Sequence, residues 1–181
     1  MTYLILRLAT LGNVAMTVPV IASLSKRYPN DRFIVASKKK LDAMFATMPN
    51  VTFHEVDNRL DWNGVVALWR RLRDEVDAVI DLQKIPKTIV LGSLMRLSGK
   101  PVTRIHYGRL RKHLITAFGI GKTPLPSEFA RYRDAFRRAG LETDETFESL
   151  PKNDAVAKMV ADTFSKKKGR WIGLAPFAKS K

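Results

Sequence analysis

The feature that most constrains this chain is an alternation. Short runs rich in β-branched, aliphatic and aromatic residues, at positions 3–8, 32–36, 51–56, 77–82 and 102–107, take turns with stretches of helical spacing. The helical stretches are 14–27, 38–48, 61–76, 86–97, 109–118 and 126–139, the last closed by Gly140. Strands that alternate with helices at this spacing predict an α/β fold, a Rossmann-like parallel sheet with helices on both faces. Such sheets take ligands at the carboxyl ends of their strands. The loops after the first, fourth and fifth strands, at 10–13, 81–85 and 107–111, therefore converge on one crevice.

The first of these loops, Thr10-Leu11-Gly12-Asn13, breaks an apolar run and opens a helix. That is the layout of a turn that presents a reactive or ligand-binding group. Asp81, Gln83, Lys84 and Lys87 follow the fourth strand, and Arg109, Arg111 and Lys112 follow the fifth. Asp81 reads equally as a ligand group and as a cap at a strand end. Arg7, in the first strand, needs a partner if buried and reads as structural. Trp62, Trp69 and Trp171 read as core or staple residues.

Charge adds a partner class. The chain has 181 residues and a formal net charge of +15. Between positions 82 and 127 there is no Asp or Glu, whereas Lys84, Lys87, Arg96, Lys100, Arg104, Arg109, Arg111, Lys112 and Lys122 all fall there. Such a surface calls for an anionic partner: nucleic acid, an acidic membrane or a phosphorylated substrate. Recognisable helix-turn-helix, zinc or RNP patterns are absent, which argues against nucleic acid. With no cysteine and only the scattered His54, His106 and His113, no metal site and no disulfide framework is expected. The apolar stretch 14–24 contains Pro19 and follows a ready-made strand, so it reads as a core helix rather than a secretory signal.

Beyond Leu141 an acidic connection (Glu142, Asp144, Glu145, Glu148) leads to a helical stretch over 153–168 and then a strand-like run over 170–177. A domain rarely ends on a freshly begun strand. The expected division is a domain over 1–150 and, over 151–181, a linker helix with the first strand of a second, truncated domain.

The segments "RLATLGNVAMTVP", "DAVIDLQ", "RLSGKPVTRIHYGR", "RYRDAFRRAGL" and "WIGLAPFAKSK", in this order, resemble the heptosyltransferase-type glycosyltransferases, glycosyltransferase family 9. The resemblance runs over essentially the whole chain and corresponds to the N-terminal half of such proteins. It implies the acceptor-side domain of a two-domain B-type glycosyltransferase, an inverting enzyme of lipopolysaccharide or related surface-glycan assembly. Transfer would be from a nucleotide-sugar such as ADP-heptose, a substrate rather than a cofactor. The implied partners are an anionic glycolipid acceptor, the nucleotide-sugar through a C-terminal domain and, peripherally, the acidic cytoplasmic face of the inner membrane.

The resemblance also assigns residues. Asp81 and Gln83 fall in a segment that often lines the acceptor side in the family, and Lys84 and Lys87 add charge there. With Gly12, Arg109, Arg111 and Lys112 from the neighbouring loops they form the expected acceptor site, while Lys181, or Lys179 in competition with it, stands near where the family places a lysine that meets the donor phosphates. The family's turn after the first strand usually reads Leu-Gly-Asp, its aspartate the proposed general base; here the residue is Asn13. A carboxylate with a pKa of about 4 can take a hydroxyl proton and an amide cannot. Asn13 is thus a helix cap in a catalytically silent binding domain, a natural residue in an enzyme whose base lies elsewhere, or a substitution that silences the base. A nucleic-acid-binding basic module is the reading from outside this family.

Overall fold

A computed structural model of the chain describes residues 1–57, 59–108, 126–143 and 154–163. The chain divides into two compact units, Met1–Pro151 and Lys152–Lys181. In the first, five strands, β1 (Thr2–Leu6), β2 (Arg32–Lys38), β3 (Val51–Val56), β4 (Ala78–Asp81) and β5 (Val102–Arg104), form one sheet in the order β3-β2-β1-β4-β5. Every pairing is parallel, as expected for a Rossmann-like sheet. Reversal of the winding direction between β1 and β4 opens a crevice at their carboxyl ends.

Both faces are covered, and the strand residues sort between them by the period of two. Tyr3, Ile5, Phe33, Val35 and Ile80 join one buried cluster, while Leu4, Leu6, Ile34, Ala36 and Val79 join the other. The first face packs under α2 (Val18–Arg27) through Val20, Ile21 and Leu24, and under α5 (Glu128–Arg138) through Tyr132, Ala135 and Phe136. The second packs under α3 (Trp62–Leu72) through Val65, Leu68 and Leu72, and α4 (Pro86–Leu97) through Leu91 and Met95. Asp61 and Ser127 start α3 and α5, their side-chain oxygens accepting from Gly64 N at 2.7 Å and Ala130 N at 3.1 Å. Gly92 lets α4 lie close on β5, since a Cβ there would stand 3.1 Å from the Arg104 guanidinium and from Val102.

Several boundaries differ from expectation, each for a local reason. The helix expected over 14–27 is two helices, α1 (Leu11–Ala15) and α2, separated at Met16 and Thr17. In a continuous helix Pro19 would lack the N–H owed to Ala15 and clash with that carbonyl. Restarting at Val18 puts Pro19 in a first turn, where no such bond is owed. The stretch 38–48 forms only a 3-10 turn, Asp42–Met44, after Lys40 takes a left-handed φ of 68°. Strands β1, β4 and β5 end earlier than their apolar runs. Trp62 is 55% exposed, so it is not a core residue. Trp69 is half-buried, with Nε1 donating to Ser98 Oγ at 3.0 Å and the Arg73 guanidinium over its ring.

The second unit is described over one helix, α6 (Asp154–Thr163), in which Thr163 Oγ1 donates to the Met159 carbonyl at 2.8 Å. The helix expected over 109–118 and the strand expected over 170–177 lie outside the described residues.

Candidate functional site

The crevice at the carboxyl ends of β1, β4 and β5 is organised by Arg7, the first residue after β1, which is only 4% exposed. A guanidinium removed from water needs its donors satisfied, and Arg7 spends them on every loop of this edge. One terminal nitrogen donates to the Leu82 carbonyl at 2.7 Å, the Tyr107 hydroxyl at 2.8 Å and, at 3.4 Å, Gln83 Oε1. The other meets Glu128 Oε1 at 3.1 Å, and Nε points at the Asn13 carbonyl at 3.5 Å. Its carbon lies 5.4 Å from the centre of the Tyr132 ring.

The partners brace one another. Tyr107 donates its hydroxyl to the Leu82 carbonyl at 2.9 Å, and Tyr132 donates to Glu128 Oε1 at 2.9 Å. Burial raises the Tyr132 phenol far above its ordinary value, against the lowering pull of Arg7, so it stays a donor across the physiological range. Glu128 also holds Arg131 at 3.3 Å. The loops after β1, β4 and β5 and the start of α5 are therefore pinned through one side chain. Arg7 reads structurally as expected; its reach to Tyr107, Glu128 and Tyr132 is what sequence reasoning missed. A charged residue inside an apolar run signals the need for partners but not which ones.

Asn13 stands exposed in α1, its Nδ2 donating to Thr10 Oγ1 at 3.2 Å. The helix-cap reading needs correction here: α1 begins at Leu11 with Thr10 in the capping position, so Asn13 occupies the third helical residue. Gly12 beside it has open space, with nothing within 4 Å of an added Cβ. Leu11 is exposed at the same edge.

The residues after β4 divide. Asp81 is fully buried; its Oδ1 accepts from Gln83 N at 2.9 Å and Lys84 N at 2.8 Å, which holds the turn. Among the described residues its Oδ2 has no hydrogen-bond partner, nor has Arg104 Nε, which lies 4.0 Å away. The Asp81 carboxylate thus serves the turn. Gln83 leans on Arg7, and Lys84 is partly exposed with a left-handed φ of 49°. Lys87 Nζ donates to the Leu60 carbonyl. Arg104, one of the cations of the acid-free stretch, lies against α4, donating to the Ile89 carbonyl at 3.1 Å. Arg109, Arg111, Lys112, Lys179 and Lys181, expected at the site, lie outside the described residues.

Along the same edge a recess of about 320 Å³ is lined by His106, Tyr107, Gly108, Pro126, Ala130, Arg131 and Asp134. Burial raises Asp134, but hydrogen bonds and charge from Arg138 and then Arg137 outweigh it and hold the carboxyl below its usual value. The recess offers cationic, carboxylate and aromatic groups together, a lining suited to a hydroxyl-rich anionic ligand. Among the described residues no three His, Cys, Asp or Glu side chains gather as a metal would need. Nor, among them, is any helix long and apolar enough to cross a membrane.

No family model matches the chain. Over 108 residues it is 28% identical to the lipopolysaccharide core heptosyltransferase OpsX of Haemophilus influenzae, covering 59% of this chain and 30% of that protein. The fold matches a family 9 glycosyl transferase from Veillonella parvula with a TM-score of 0.64 at 20% identity, over 92% of this chain and 50% of the other. It matches E. coli heptosyltransferase WaaC, solved with ADP, with a TM-score of 0.57 at 20% identity, over 83% and 50%. The chain spans about half the length of these solved relatives and less of the curated one. In sequence over part of its length, and in fold over most of it, the chain resembles the heptosyltransferase-type glycosyltransferases of family 9.

Proposed function

We propose that this chain is the acceptor-side domain of a glycosyltransferase of lipopolysaccharide core assembly. In this reading it holds an anionic glycolipid while a sugar, ADP-heptose being the expected donor, is transferred with inversion. The supporting observation is the crevice itself: three loops and the start of α5, tied through Arg7, leave exposed Asn13, open Gly12 and half-exposed Lys84 at one sheet edge. The acceptor hydroxyl is placed against Asn13, with Lys84 and the basic segment beyond Gly108 facing its phosphates or carboxylates. The nucleotide-sugar belongs to a domain that begins within 151–181, where Lys179 and Lys181 meet the diphosphate. The site of action is the cytoplasmic face of the inner membrane.

One observation favours a second reading. The amide of Asn13 cannot accept a proton, so the crevice as it stands is better suited to binding an acceptor than to activating it. A catalytically silent binding domain of the same fold has these properties.

Titration with a heptose-free lipopolysaccharide core acceptor dispersed in detergent, followed by amide NMR, tests both readings. Shifts at Gly12, Asn13, Lys84 and Tyr107, with ADP alone leaving them unmoved, support an acceptor site. Shifts confined to other surfaces, or displacement of the acceptor by ADP from this crevice, contradict it.

A further inference from the structure

The outer face of α4 exposes apolar side chains. Thr88, Leu91, Gly92 and Met95 recur at i, i+3, i+4 and i+7 and are buried against the sheet. An exposed helix of this kind normally turns charged residues outward. Instead Pro86, Val90, Ser93 and Leu97 form the outward line, with Ile89 beside it, and Leu97 is 85% exposed. Cations bracket that line: Lys87 toward α3, where it reaches the Leu60 carbonyl, and Arg96 toward β5, where it reaches the Val102 carbonyl at 3.0 Å. Lys100 follows just past the helix, and no acid occurs anywhere between positions 82 and 127.

We propose that the outer face of α4 docks the protein on an anionic phospholipid bilayer, Ile89, Val90 and Leu97 entering the interface while Lys87, Arg96 and Lys100 meet the headgroups. Apolar side chains ringed by cations match a layer whose surface is negative and whose interior is hydrocarbon. A second copy of the chain fits the same face poorly, because a two-fold contact would set these cations against their own copies and α4 itself carries no carboxylate to offset them. The inference rests on the glycolipid reading above for its purpose, since docking would hold the acceptor crevice near a lipid-borne substrate. Its physical basis is independent of that reading.

The experiment separates this face from the general attraction of a +15 chain to anionic lipid. Partition onto phosphatidylethanolamine/phosphatidylglycerol vesicles is measured by sedimentation for the wild type and for Val90→Ser/Leu97→Ser, which keeps the net charge. Both positions are exposed, so the fold persists, checked by thermal melting. In parallel, an environment-sensitive dye is placed at Leu97→Cys or, on the opposite face, at the exposed Lys26→Cys; the chain has no other cysteine.

Expected are a loss of partition of about 10-fold or more in the double variant and a blue shift of the dye at 97 but not at 26. Equal partition of the two proteins, the same response at both dye positions, or a lipid-free dimer that the double variant dissolves would overturn the proposal. Acceptor binding in detergent is read on the same proteins. Docking that fails while acceptor binding persists sinks only the membrane face, and the reverse sinks only the acceptor reading.

Discussion

Arg7 and Glu128 meet at 3.1 Å across 121 residues of sequence, joining the end of the first strand to the first turn of α5. The arginine is 4% exposed and the glutamate 22%, so the pair is largely removed from water. Truncating one member of such a pair costs more than the pair contributes, because the other keeps its desolvation without its partner. Arg7→Met is expected to lower the unfolding free energy by about 3 kcal/mol in urea titrations. Glu128→Gln, which keeps an acceptor for Arg7 and Tyr132, should cost about 1 kcal/mol. Equal losses in the two variants would mean that Arg7 is not the organising group.

Gly12 separates stability from binding. An added methyl meets no protein atom, and alanine suits a helix better, so Gly12→Ala should leave the melting temperature unchanged or raise stability by up to about 1 kcal/mol. In the proposed function the acceptor reaches Asn13 through that open space. Acceptor affinity is expected to fall several-fold in the same variant, measured by calorimetry. Unchanged affinity would place the ligand elsewhere.

Lys84 gives the complementary case. Its left-handed backbone is one that glycine adopts freely, so Lys84→Gly should be neutral or stabilising by up to about 1 kcal/mol while removing a cation from the crevice. Affinity for a phosphorylated acceptor should drop about 3- to 10-fold, with a shallower salt dependence. A destabilised protein with unaltered affinity would identify Lys84 as a structural residue only.

His54, on the edge strand β3, predicts a pH effect. Burial pushes its imidazole below the ordinary value of 6.5 and Arg71 adds to this, while Glu75 opposes. Between the folded and unfolded values the unfolded chain binds the extra proton, so this contribution to stability is complete above about pH 6.5 and is lost as pH falls toward the folded value. The melting temperature should therefore fall more between pH 7 and 5.5 for the wild type than for His54→Gln. Parallel curves would show that His54 is not linked to folding.

The sheet was legible because burial on both faces leaves a direct mark: Tyr3 to Leu6 and Phe33 to Ala36 are apolar at every position, and only a covered parallel strand tolerates that. The break at Thr17 was less so, since Pro19 is compatible with either a late helix start or an interrupted helix. The start of α1 was missed because Leu-Gly-Asn carries turn residues, and only the structure shows Thr10 in the capping position. Least legible was the Arg7 network. Its contacts with Tyr107 and Glu128 span 100 and 121 residues, and no local pattern encodes a meeting that the sheet order creates.

In the proposed function position 13 faces the acceptor hydroxyl during sugar transfer, and the decisive variant is Asn13→Asp in a polypeptide carrying this chain together with a nucleotide-sugar domain. Both residues can hydrogen-bond the hydroxyl in the ground state, but only the carboxylate takes its proton as the glycosidic bond forms. Transfer from ADP-heptose to a heptose-free core acceptor should then rise by roughly 100-fold or more in kcat, about 3 kcal/mol of barrier, with little change in acceptor affinity and a new acidic limb in the pH profile. An Asn13→Asp protein that binds donor and acceptor yet transfers no faster, with an unchanged pH profile, would contradict it.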